Sequence, residues 1–193
     1  MRKGFFPRLA LSGIRKNRSI YYPYILTAVL TTAMMYIIGS LQQISTDYSG
    51  TLAFSLQLGT VVTSVFSVVF LFYTNSFLMR RRKKEFGLYN ILGMEKRHLA
   101  RLIFWETALM LAVSLTIGLA AGVLLDKLMH LVLSRLVGQA VSLTFAVSPG
   151  SMRYTAALIS ITFALILLNS VRQVYVARPV ELLRSAEVGE REP

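Results

Sequence analysis

Cysteine is absent from the 193 residues, and histidine occurs only as His98 and His130. Without cysteine there can be no disulfide framework and no thiolate metal site, and the redox compartment leaves no trace in the sequence. A Gly-x-x-x-x-Gly-Lys-Ser/Thr loop is also missing, so no phosphate cradle for ATP is recognisable. Polar residues that could form a nucleophilic triad or a metal cluster are scattered over what prove to be opposite membrane faces. The chain is therefore expected not to be an enzyme on its own, and to bind no cofactor or metal. The two histidines fall on opposite sides in the same topology, and a surface role is expected of both. Acidic residues are scarce as well, 9 against 21 Lys and Arg, for a net charge of +12.

Apolar sequence is abundant. Hydrophobic residues make up 54% of the chain, and the 16% that are charged gather in a few clusters, where a soluble domain would spread them. Four runs are long enough to cross about 30 Å of hydrocarbon at about 1.5 Å per residue: Ile20 to Leu41, Leu52 to Met79, Leu102 to Leu125 and Tyr154 to Val171. Open strands cannot satisfy their backbone groups in lipid, and these runs do not suit alternating barrel strands, so the spans are helices. The first run is longer than a secretory h-region and no small-residue cleavage site follows it, so it reads as a retained anchor. The fold expected is all-α: an integral membrane protein of four transmembrane helices.

Charge orients the spans. Residues 1–19 hold 6 Lys and Arg, 80–101 hold 8 and 172–193 hold 4, whereas the other loops hold only Lys127, Arg135 and Arg153. The positive-inside rule then puts both termini and the middle loop in the cytoplasm. Basic residues flanking apolar runs point to anionic lipid headgroups, and nucleic acid is not expected as a partner. Tyr21, Tyr22, Tyr24 and Trp105 open spans on the cytoplasmic side, where a headgroup location suits their amphipathic rings. The chain divides into a basic N-terminal segment 1–19, a transmembrane module 20–184 and a polar tail 185–193.

The middle loop is the most informative stretch. Arg80, Arg81, Arg82, Lys83 and Lys84 would anchor the second span at the inner leaflet, each contributing about 1 kcal/mol near an anionic surface. Beyond them Phe86, Tyr89 and Gly93 share one helical face, and Leu88, Ile91 and Leu92 a neighbouring one. A short amphipathic helix is therefore expected beneath the membrane, ended by Gly93. It could present Leu88, Tyr89 and Leu92 to a soluble partner; the plainer reading is an interfacial helix in a basic loop.

Glu85-Phe-Gly-Leu-Tyr-Asn-Ile-Leu-Gly93-Met94, set between basic stretches, resembles the cytoplasmic coupling helix of the FtsX-like permease family of type VII ABC systems. Ala177-Arg-Pro-Val-Glu-Leu-Leu-Arg184 is similar to the ending of that family's transmembrane module, and Pro179 would stop or kink the exiting helix. The start, Leu9 to Tyr24, resembles the N-terminal amphipathic helix of the BceB-type branch. The resemblance implies a permease in the bacterial plasma membrane that works with an ABC ATPase subunit, the partner binding ATP and Mg. Glu85, Phe86, Gly87, Leu88, Tyr89, Leu92, Gly93 and Met94 would form the contact with it. It also implies antimicrobial-peptide resistance as a task, with a second permease chain or a sensor kinase as further partners. BceB-type permeases are longer, with more spans and a large extracellular domain, so a fragment, a truncated product and a half-permease all stay open.

Three features inside or outside the spans remain. Gly118 and Gly122 form a small-xxx-small motif, used either for packing within the four-helix unit or for association between chains. Glu106 is the one acidic residue assigned to a span, and pairing with a nearby cation such as Arg101 is expected rather than proton transport. The outer stretch Asp126 to Gly150 starts as a helical continuation and then alternates at Val141, Leu143, Phe145 and Val147. A small membrane sensor or adaptor without an ATPase is the alternative from another class, and intramembrane charge is too sparse for a conducting channel.

Overall fold

The computed structural model describes residues 5–44, 50–91, 95–137 and 147–176, and every element among them is an α-helix. In chain order these are α1 (Phe5–Lys16), α2 (Arg18–Ile44), α3 (Gly50–Ile91), α4 (Lys96–Val137) and α5 (Pro149–Val176). The last four are long and apolar enough to cross a membrane. Four of their threonine hydroxyls find a partner within their own helix: Thr32, Thr60, Thr116 and Thr162 each donate to the carbonyl four residues back, at 2.7–2.9 Å.

All four long helices exceed their expected spans, α3 and α4 by the most. The segment after the basic run is not a separate short helix, because α3 continues through it to Ile91. Arg, Lys and Glu are good helix formers and Gly87 costs only about 1 kcal/mol, so nothing between residues 80 and 91 ends the helix. Leu92, Gly93 and Met94 lie outside the described residues. So do the motif 177–184, the tail, and the alternating stretch 141–146. Helix α4 likewise runs on past Asp126 to Val137.

The chain forms two compact units, to each of which α2, α3, α4 and α5 contribute a segment. One unit contains Ile25–Leu71 and Leu111–Thr162. Here Ser114, Gly118, Gly122 and Asp126 are buried at every fourth position of α4, as are Ala28, Thr32, Tyr36 and Ser40 of α2. The two rows meet in a constant register. A Cβ added to Gly118 would stand 2.7 Å from the Thr32 Cβ, and one added to Gly122 would stand 3.2 Å from that of Tyr36. Ser40 Oγ donates to Asp126 Oδ2 at 3.0 Å. Each pair is 86 residues apart, so α2 and α4 run parallel with their i±4 ridges in contact. The glycines thus face α2 of the same chain. Lipid gives helices no hydrophobic drive to associate, so this close approach supplies the dispersion contacts that hold them.

The second unit contains Met1–Tyr24, Phe72–Met110 and Phe163–Pro193. Its core is built from Ala10 of α1, Met79 of α3, Leu99, Leu102 and Ile103 of α4, and Val174 of α5. Tyr21 and Tyr24 are buried here, while Tyr22 is exposed. Tyr24 meets Phe163 edge-on at 6.3 Å between centroids. Two of the three tyrosines expected at the headgroups therefore pack inward: positions 21, 24 and 28 share one face of α2 and 22 does not.

Gly118→Val should lower the melting temperature in detergent, by an overpacking cost of about 1–3 kcal/mol. Gly59→Ala, where an added Cβ meets nothing within 4 Å, should leave it unchanged or raise it. Thermal melting of the two variants beside the parent checks both.

Candidate functional site

The C-terminal half of α3 follows from its periodicity. Leu71, Asn75, Leu78 and Arg82 are spaced four, three and four residues apart, so they share one face, and all four are buried. The two polar members need partners in this low-dielectric setting. Asn75 Nδ2 donates to Ser170 Oγ of α5 at 3.1 Å. Arg82 reaches Glu106 of α4 with a two-pronged contact: Nη2 donates to Oε1 at 3.0 Å, and Nη1 donates to Oε2. Both side chains are only 4% exposed.

Around this ion pair two further elements close in. The Tyr21 ring of α2 lies 5.3 Å from the Arg82 guanidinium carbon, within cation–π range. Gly13 of α1 is so near that an added Cβ would stand 3.4 Å from Glu106 Oε1. At the start of α4, Lys96 Nζ donates to the Tyr175 carbonyl of α5 at 2.9 Å. The pair thus joins α3 to α4 directly, with α1 and α2 packed against it. A forked guanidinium–carboxylate contact fixes orientation as well as distance, which a single point charge would not.

Two expectations change at this site. Glu106 pairs with Arg82 and not with Arg101, which is exposed and points off the buried face of α4 formed by Leu99, Leu102, Ile103 and Glu106. Arg82 in turn does not extend to the headgroups with its neighbours, because it falls on the inward face. Arg80 and Arg81 are exposed, and the Arg81 guanidinium lies 4.8 Å from the Phe77 ring centroid. Glu85, Phe86, Gly87, Leu88 and Tyr89 lie on the continuous helix α3, one to two turns beyond Arg82.

A second buried acid escaped the sequence reading. Asp126 of α4 is 2% exposed, takes the hydrogen bond from Ser40 and has His130 Nδ1 3.3 Å from its Oδ1. His130 Nδ1 also lies 2.9 Å from the Asp126 carbonyl oxygen. His130 is therefore an intrahelical partner of Asp126 and not the plain surface residue expected. Its spacing of four from Asp126, and that of Asp126 from Gly122, were the available signals.

A family match covers residues 58–177, which align with the FtsX-like permease C-terminal domain. The chain belongs to the FtsX-like permease family. Residues 58–177 take in most of α3, all of α4 and α5, and the Arg82–Glu106 pair. The FtsX-like chain is 29% identical over 93% of its length to the uncharacterized ABC transporter permease YvcS of Bacillus subtilis. It is 27% identical over 67% of its length to the bacitracin export permease protein BceB of the same organism. The BceB of Halalkalibacterium halodurans is 26% identical over 83% of the chain. These alignments span 29%, 21% and 25% of the respective relatives, so the chain corresponds to under a third of each. With four membrane-crossing helices and these relatives, it is a multi-pass protein of the bacterial cell membrane.

Removing one partner of a buried ion pair typically costs about 3–5 kcal/mol, because the other charge is left uncompensated. Arg82→Met and Glu106→Gln should each lower the melting temperature markedly, and Arg81→Met should barely move it. Parallel melts of the three variants in one detergent decide this.

Proposed function

We propose that this chain is the transmembrane module of an ABC permease, and that it passes motion from a partner ATPase to the outer membrane face. The observation that carries the reading is the continuity of α3, 42 residues from Gly50 to Ile91, about 63 Å if straight. The coupling segment from Glu85 and the opposite end of the span sit on one helix, so a push on the segment needs no hinge to travel. Arg82 hands part of that displacement to α4 through Glu106. The ATP and Mg belong to the partner subunit.

The positive-inside count supports a cytoplasmic location for both termini and for the coupling segment. The name of two relatives, bacitracin export permease, supports a role in handling a bacitracin-type antimicrobial peptide. A second permease chain or a sensor kinase is proposed as a further partner. Anionic lipids would hold the exposed Arg80 and Arg81. Leu88, Tyr89, Leu92 and Met94 are the apolar contacts proposed for the ATPase, flanked by Glu85, Phe86, Gly87 and Gly93.

Affinity purification in mild detergent tests the partner. An ABC ATPase should accompany the wild type and be lost from a Leu88→Asp, Leu92→Asp double variant. Recovery of the wild type with no ATPase would turn the reading toward a sensor or adaptor. The cysteine-free sequence also permits a clean topology test: a single cysteine at Thr51 should react with an impermeant maleimide added outside cells, and one at Glu95 should not. The reverse labelling would overturn the orientation.

A further inference from the structure

A cleft of about 470 Å³ opens where α2 ends and α3 and α5 begin, within the unit formed by Ile25–Leu71 and Leu111–Thr162. Its polar lining is Gln42, Gln43, Gln57, Thr60, Ser151 and Tyr154. The volume falls within the range of about 300–1,000 Å³ typical of small-ligand sites. Among the described residues no charged side chain lines it.

The site is built and not an accident of loose packing. Gly39 of α2 approaches Ser151 of α5 so closely that an added Cβ would stand 3.5 Å from its side chain. A Cβ on Gly150 would collide with the Gln43 carboxamide. That carboxamide accepts from the Ser148 hydroxyl and, at 3.4 Å, from Ser151 Oγ. On the far wall the Tyr154 and Ser64 hydroxyls pair at 3.1 Å, which fixes the phenol ring while leaving it 46% exposed.

The chemistry of the lining selects the ligand. Carboxamides offer donors and acceptors side by side, hydroxyls offer both, and an exposed ring offers an apolar face. Vicinal hydroxyl groups on a sugar ring match that set. A phosphate would want Arg, Lys or converging backbone N–H groups, and none of the charged kind is among the described lining residues. Depth argues for a lipid as the carrier. Gln42 and Gln43 lie in the last turn of α2, and Ser151 and Tyr154 in the first two turns of α5, which is headgroup level. Directly beside the cleft, Leu58, Val61, Val62 and Val65 form an exposed apolar stripe on α3, a track for acyl chains.

We propose that this cleft binds the uncharged sugar headgroup of a membrane glycolipid, a glycosyl diacylglycerol in chemical class, with its chains along the Leu58–Val65 stripe. Assignment to the outer leaflet rests on the topology proposed above; the binding itself does not, and needs no ATPase.

The test is photolabelling of the full chain in phosphatidylglycerol nanodiscs with two probes, a diglucosyl diacylglycerol and a phosphatidylglycerol carrying the same diazirine acyl chain. The glycolipid probe should label residues 58–65 about fivefold more than the anionic probe, the effect of roughly one well-made hydrogen bond. Gln57→Leu, at an exposed position, should erase the difference, while Phe77→Leu, at another exposed position of α3, should preserve it; equal melting temperatures establish that both variants are folded. Equal labelling by the two probes, or stronger labelling by the anionic one, overturns the proposal. So does loss of the label on adding soluble diglucoside at millimolar concentration, since a free sugar would then be the ligand.

Discussion

A helix in lipid gains nothing from hiding apolar surface against a neighbour that is no more apolar than the acyl chains it replaces. What fixes such a helix is close backbone approach or a polar contact that lipid cannot supply. In this protein α2 is the most deeply packed of the four long helices and α3 the least. One long side of helix α3 is exposed from Phe54 to Phe77, and its other side carries Thr60, Ser67 and Asn75 among its buried residues. Its attachments are therefore polar: Ser64 to Tyr154, Asn75 to Ser170, and above all Arg82 to Glu106. The last is the strongest, since two full charges removed from water depend on one another, and it lies one turn before the segment proposed to meet the ATPase.

Helix α4 is held differently. Its small residues bring it against α2 in a fixed register, with Thr32 opposite Gly118, Tyr36 opposite Gly122 and Ser40 opposite Asp126. A slip by one residue would drive a side chain into the space each glycine leaves and strip Asp126 of its Ser40 donor. The register is thus specified by steric fit and by a buried hydrogen bond together. A weakly packed helix carrying the proposed coupling segment, tied by charge to a tightly registered one, suits the proposed transmission of motion.

Much of this was legible beforehand. The four spans followed from apolar run length, and the family from the coupling and exit motifs. The buried polar residues were not, and the reason is physical. Hydropathy sums report that a segment is apolar enough to enter lipid and carry no information on which face a given residue occupies. Arg82 was grouped with four neighbouring cations because they are contiguous, yet helical periodicity places it with Leu71, Asn75 and Leu78 and away from Arg80 and Arg81. Asp126 reads in sequence as the first residue of the outer stretch, although its spacing of four from Gly122 continues the buried row. The cleft could not be read at all, since Gln42, Gln57 and Tyr154 come from three helices that only the tertiary fold brings together.

The claim on which everything else leans is that displacement of α3 reaches α4 through Arg82 and Glu106. A double variant, Arg82→Met with Glu106→Met, removes both charges while keeping the volume, so folding and ATPase binding should survive. The measurement is the ATP-induced change in distance between spin labels on cysteines introduced at the exposed positions Leu128 of α4 and Met152 of α5, in the complex assembled with its ATPase. The expected result is a clear shift in the parent and its loss in the double variant at equal thermal stability. A shift of parental size in the double variant would contradict transmission through the ion pair.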